Sequence, residues 1–151
     1  MNGGSSSVLM ADDDADDRLL TADAFRDCKL ANALHFVSDG EELLAYLCRR
    51  GQFVDERRFP MPSLILLDLN MPRMDGREAL REMKSSAHLR HIPVVILTTS
   101  SAEFDIRRSY EEGANSYITK PASFRGLVDV VGLLSRYWLQ TVALPDETAN
   151  H

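Results

Sequence analysis

Short apolar runs punctuate the chain at Val8 to Ala11, Leu64 to Leu67 and Ile92 to Leu97, the last entered through Pro93, and Leu34 to Val37 and Ser116 to Thr119 read as two further short strands. Runs of this length without polar alternation predict strands buried on both faces, as in a parallel sheet covered by helices. Between them the apolar residues recur at helical spacing. A first helix is predicted from Asp14 or Ala15 to about Lys29, with Leu20, Ala24 and Cys28 as its buried stripe. A second runs from Glu41 to Arg50, with Leu43, Leu44 and Leu47 inward, and Gly51 stops it. A third covers Arg77 to Ser85, with Leu80 and Met83 or Lys84 at helical spacing. Ser100 and Glu103 fit a capping box that opens a fourth, stopped by Gly113. Ser123 caps the last helix, whose inward face reads Phe124, Leu127, Val131, Leu134 and Trp138.

Strand and helix thus alternate five times, which argues for an α/β domain with helices on both faces of a parallel sheet. Right-handed crossovers leave few topologies, and the flavodoxin-like, doubly wound order 2-1-3-4-5 is expected. The 151 residues suit one domain, taken as 8–139, with a flexible Gly/Ser-rich tail over 1–7 and an extension over 140–151. Gln52 to Pro62 is polar, basic and long for a connector, so it is read as a surface segment and a candidate contact site.

The net charge of −6, with acids crowded at Asp12, Asp13, Asp14, Asp16 and Asp17, gives no basic face for nucleic acid. Neither a signal peptide nor a membrane-spanning run is present, and a cytoplasmic location is expected. Cys28 and Cys48 lack metal-ligand spacing and are read as reduced, half-buried fillers. His35, His88, His91 and His151 show no paired spacing and receive no role.

The chemistry lies where the strands end. Asp12 and Asp13 follow the first strand, Asp68 the third, Thr98 the fourth and Lys120 the fifth. A parallel sheet brings all these ends to one edge, where such folds place their ligands. Three carboxylates there would repel one another, and a hard divalent cation such as Mg2+, with Mn2+ able to substitute, resolves the conflict. A carboxylate so placed can accept a phosphoryl group as an aspartyl phosphate. Lys120 would then pair with one phosphoryl oxygen and the Thr98 hydroxyl would donate to another, since transfer of this kind needs mainly positioning and charge neutralisation.

The segments LMADDD, LILLDLNMPRMDG, VVILTTSSAE and GANSYITKP resemble the receiver domain of two-component response regulators, in order, over roughly Val8 to Leu134. The resemblance implies the CheY-like form of the sheet, with Asp68 as phosphoacceptor and Asp12 and Asp13 as the acidic pair. It also implies that the Asn70 backbone carbonyl faces the metal, that Thr98 is the switch hydroxyl, Tyr117 the switch aromatic and Lys120 the cation. Tyr137-Trp138-Leu139, then Leu144-Pro145, and the long connector before the third strand are similar to small stand-alone receivers paired with bacterial phytochrome histidine kinases. Those relatives tend to carry Glu-Asp where this chain has Asp12-Asp13, which shortens one arm and keeps its charge.

The expectation is a single-domain response regulator taking phosphoryl from a histidine kinase onto Asp68, forming and slowly hydrolysing its own acyl phosphate without turning over outside substrates. Phosphorylation is expected to draw Thr98 and Tyr117 inward and to switch the face of the fourth helix, fifth strand and fifth helix. A homodimer is expected there, with Tyr137 and Trp138 as possible contacts. Thirteen residues after Trp138 fit no output domain, so output through another protein, or a relay or sink role, is expected. Two alternatives stand beside this. A haloacid-dehalogenase-like phosphatase would need a second aspartate where Asn70 stands, and a pseudo-receiver would bind partners without ever carrying phosphate. A calcium loop starting at Asp12 is disfavoured by Asp17 where glycine is needed and Asp23 where a bidentate Glu belongs. Asp14, Asp16 and Asp17 are then a solvated helix start.

Overall fold

Every predicted run becomes a strand or a helix in the computed structural model, which describes residues 7–141. The order is β1 (Val8–Ala11), α1 (Ala15–Asp27), β2 (Leu34–Val37), α2 (Gly40–Leu47), a 3-10 turn (Gly51–Phe53), β3 (Leu64–Leu67) and α3 (Gly76–Lys84). Then follow β4 (Val94–Thr98), α4 (Glu103–Glu111), β5 (Ser116–Thr119), α5 (Phe124–Leu134) and a π-helical segment (Ser135–Thr141). The strands form one parallel sheet in the order β2-β1-β3-β4-β5, as expected.

Strand pleating explains why the central strands β1, β3 and β4 are buried throughout, while the edge strands β2 and β5, which carry His35, Ser116 and Thr119, are largely half-buried. Leu9, Ala11, Ile65, Leu67, Val94 and Ile96 point into the layer that holds Leu43, Leu47, Leu80 and Met83. Val8, Met10, Leu64, Leu66, Val95 and Leu97 point the opposite way, onto Ala24, Phe25, Val131 and Leu134. Register positions the site. Ala11 pairs with Leu67, so the residues that follow them, Asp12 and Asp68, emerge side by side.

Several local expectations give way to packing. The buried residues of α1 are Thr21, Ala24 and Phe25, while Leu20 is 41% exposed. Phe25 has more apolar surface to bury against α5 than Leu20, which rotates the helix by about one residue, roughly 100°. Helix α2 ends at Leu47, three positions before the expected Arg50. Arg49 adopts a left-handed backbone (φ 59°), and its amide and that of Arg50 close onto the Tyr46 and Ala45 carbonyls. Gly51 therefore opens the 3-10 turn instead of ending the helix.

The connector is only partly a surface segment. Phe53 is buried, with its ring 5.1 Å from that of Tyr46 and 5.0 Å from that of Phe59. The Ser100–Glu103 capping box does not form, because Ala102 is the N-cap of α4 and the Ser100 hydroxyl donates to Asp105 at 2.6 Å. Cys48 is exposed, not half-buried, whereas Cys28 is half-buried. Phe124 is exposed, not inward, because it occupies the first position of α5. Ser123 does cap α5, accepting from the Gly126 amide at 3.0 Å.

Ser7 does not belong to a free tail, since its hydroxyl donates to the Met61 carbonyl and its own carbonyl accepts from Ser63. The rest of the expected tail, and residues 142–151 of the expected extension over 140–151, with Leu144-Pro145, lie outside the described residues. Among the described residues no helix is long and apolar enough to cross a membrane.

Candidate functional site

At the carboxyl edge of the sheet, β1 delivers Asp12 and Asp13, β3 delivers Asp68, β4 ends on Thr98, and Lys120 follows β5. The five residues converge as the strand order requires. One carboxylate oxygen from each of Asp12, Asp13 and Asp68 lies within 4.8 Å of the others. Asp12 is fully buried, Asp68 nearly so, and Asp13 is open to solvent. The Thr98 hydroxyl, itself buried, donates to Asp68 Oδ1 at 2.7 Å, and the Asn70 amide donates to the same oxygen at 3.1 Å. The Lys120 ammonium donates to Asp68 Oδ2 at 3.0 Å and to Asp12 Oδ2 at 2.7 Å. The Asp12 carboxylate also accepts from the Asp14 amide at 2.9 Å, while Arg18 donates to the Asp12 carbonyl at 2.6 Å.

The electrostatics follow from burial. Desolvation pushes the Asp12 carboxyl above its usual value, against the hydrogen bonds from Lys120 and the Asp14 amide. Burial would lower Lys120, but its hydrogen bonds to Asp12 and Asp17 and the nearby Asp12 and Asp68 charges outweigh that and hold it well above its usual value. One ammonium thus pairs with the carboxylates of Asp12, Asp17 and Asp68, and Asp13 adds a further carboxylate beside Asp12 and Asp68, leaving the pocket electronegative. Hard oxygen donors, converging and short of positive charge, fit a small divalent cation.

The loop between β3 and α3 is tied down on both sides. Arg73, in a left-handed conformation (φ 60°), pairs through Nε with the buried Asp39 at 2.9 Å, and the Gly40 amide donates to the Met74 carbonyl at 2.8 Å. Asp39 is at once the N-cap of α2, accepting from the Glu42 amide. Gly76 lies so close to the strand end that a Cβ there would sit 2.8 Å from Leu69 Cα.

Tyr117 is half-buried and donates from its hydroxyl to the Ser100 carbonyl at 2.8 Å. Its phenol is raised by burial, which outweighs that hydrogen bond. Ser100 in turn bonds Asp105, which also pairs with Arg77 of α3. The Ser100 and Arg77 hydrogen bonds hold the Asp105 carboxyl below its usual value. Tyr137 is 56% exposed, and its ring meets that of Trp138 edge-on at 5.2 Å, while Trp138 packs half-buried onto its own core.

One member of the site was not read from the sequence. Asp17, assigned above to a solvated helix start, accepts from Lys120 at 2.7 Å. Its spacing three residues after the N-cap Asp14 suits a first-turn acid, and only the rotation of α1 turns it toward the sheet edge.

The sheet order and this edge define a class, and the comparison with known sequences agrees: the chain belongs to the response regulator receiver domain family, matched over residues 8–132. Among its relatives is the response regulator Rcp1 of Synechocystis, 38% identical over 138 residues that span 91% of this chain and 92% of Rcp1. The phosphorylated cyanobacterial phytochrome response regulator RcpA superposes with a TM-score of 0.87 at 38% identity, over 95% of this chain and all of that one. RPA3017, a response regulator in red light signalling of R. palustris, gives a TM-score of 0.89 at 38% identity, over 93% of this chain and 99% of that one. Rcp1 has also been solved in an Mn2+-bound form, at a TM-score of 0.83 over 93% of this chain and 99% of that one. The chain is therefore a response-regulator receiver, homologous to phytochrome response regulators.

Proposed function

We propose that Asp68 is the phosphoacceptor and that a histidine kinase, a bacterial phytochrome in the first instance, is the donor. One observation carries the reading: the Asp68 carboxylate is reached at once by the Thr98 hydroxyl and the Lys120 ammonium, beside the converging Asp12 and Asp13 oxygens. An Asp68 oxygen attacks the phosphorus of a phosphohistidine, a P–O bond forms, the P–N bond breaks, and the imidazole leaves with the electron pair and takes up a proton. Lys120 and Thr98 stand ready to donate to the phosphoryl oxygens as charge builds on them. Asp12, Asp13 and Asp68, with the Asn70 backbone carbonyl, would hold Mg2+ or in its place Mn2+, and the metal would supply charge neutralisation at the phosphoryl group. Water later attacks the phosphorus, breaks the P–O bond and returns Asp68 as a carboxylate with release of inorganic phosphate. The domain turns over its own phosphate in this way and acts as a signal, not as an enzyme on outside substrates.

Thr98 and Tyr117 would transmit the change to the face made by α4, β5 and α5, biasing a two-state equilibrium there toward a partner or a second copy. A homodimer using that face, with Tyr137 and Trp138 at its margin, belongs to the same proposal. Asn70 in place of an acidic residue speaks against a dehalogenase-like phosphatase, which would lack its general acid. The test is phosphotransfer from autophosphorylated phytochrome kinases, with oligomer size read before and after. Rapid loss of kinase label to this chain, with a change in size, is expected. Transfer to no kinase together with an unchanged size would favour the phosphate-independent interaction module.

A further inference from the structure

Lys120 has three N–H donors, and three carboxylates take them: Asp12 at 2.7 Å, Asp17 at 2.7 Å and Asp68 at 3.0 Å. A phosphoryl oxygen can therefore take the ammonium only by displacing one of these carboxylates. Two of the three partners change character in the reaction proposed above. Asp68 loses its negative charge when it is acylated, and Asp12 belongs to the oxygen triad that suits a cation. Asp17 belongs to neither. It sits in the first turn of α1 with its side chain 32% exposed, outside the converging triad, and its carboxylate is altered by neither event.

We infer that Asp17 is a positioning residue that competes with the phosphoryl group for the Lys120 ammonium, and so sets how firmly an acyl phosphate is clamped. The inference rests on Asp68 being the phosphoacceptor. A charged pair with one partner 11% and the other 32% exposed is only partly screened by water, so its removal is felt by the third charge that shares the ammonium. Neighbouring acids do not share this role. Asp16 lies one residue away, is exposed, and meets Asp14 through its backbone amide.

The experiment titrates beryllium fluoride, a mimic of the acyl phosphate, at saturating Mg2+ into the full chain and three variants, followed by 19F NMR. Asp17→Asn is expected to bind the mimic about three- to tenfold more tightly than wild type, in line with losing one charge-assisted competitor. Asp17→Glu, which keeps the carboxylate, restores the wild-type affinity, and Asp16→Asn, which removes an equal charge nearby, stays within about twofold of wild type. The 15N resonance of the Lys120 ammonium moves in Asp17→Asn before any mimic is added and does not move in Asp16→Asn. Equal affinities in Asp17→Asn and Asp16→Asn, or weaker binding in Asp17→Asn, overturn the inference and leave the phosphoacceptor reading standing. Failure of the wild type itself to take up the mimic would overturn that reading and the inference with it.

Discussion

Replacing Lys120 by methionine keeps an unbranched apolar stem of four heavy atoms and removes the terminal nitrogen with its charge and donors. In the folded protein the Lys120 side chain is 11% exposed, and its ammonium meets Asp12 and Asp68 side chains that are 0% and 9% exposed. Removing one partner of a fully buried pair costs about 3–5 kcal/mol, because the stranded charge remains. Here Asp13 and Asp17 keep the mouth of the pocket wet, which lowers the expected loss to about 2–3 kcal/mol in metal-free buffer. Mg2+ returns positive charge to the same oxygens, and a cation at a hundred times its Kd adds about 2.7 kcal/mol to the stability of the folded state. The ammonium also competes for the Asp12 and Asp68 oxygens, so the variant gains more from the metal than the wild type does. Urea unfolding of both proteins, with and without Mg2+, therefore gives a large gap without metal and one less than half as large with it. Equal gaps in the two buffers would refute the reasoning, since the loss would then not come from carboxylates that a cation can neutralise.

Other outcomes follow from the same geometry. Thr98→Val removes the 2.7 Å hydrogen bond to Asp68 at nearly constant volume, and phosphorylation by acetyl phosphate is expected to slow by about tenfold while the fold is kept. An unchanged rate, followed by stopped-flow or phosphate-affinity gels, would remove Thr98 from the site. Gly76→Ala forces a Cβ against the Leu69 backbone, and a stability loss above about 2 kcal/mol is expected in denaturant titration. The Asp105 carboxyl, held below its usual value by Ser100 and Arg77, contributes stability that is fully present above pH 3.8 and is lost as pH falls through its lower folded value. An NMR titration should place its midpoint below 3.8, and a midpoint at or above that value would contradict the Ser100–Asp105–Arg77 link.

The sheet was legible because buried parallel strands must be apolar on both faces, as Val8 to Ala11 and Leu64 to Leu67 are. Once the strand order is set, the meeting of Asp12, Asp68, Thr98 and Lys120 is a matter of register, which is why those residues could be gathered in advance. Helix rotation was not legible in the same way. Leu20 and Phe25 compete for the inward side of α1, and only packing against α5 decides between them. Asp17 was missed for that reason. The role of Ser100 was misread because its hydroxyl donates to the Asp105 carboxylate in the first turn of α4, while Ala102 takes the N-cap position. Phe53 and Phe59 looked like part of a polar connector until Tyr46 gave them a common cluster.

The most direct measurement is the intact mass of the chain after incubation with acetyl phosphate and Mg2+, wild type beside Asp68→Asn. The wild type should gain a single phosphoryl group, lose it on treatment with hydroxylamine and gain none when the metal is chelated, while Asp68→Asn gains none at all. A wild type that stays unmodified, or an Asp68→Asn protein labelled to the same extent, would contradict the account.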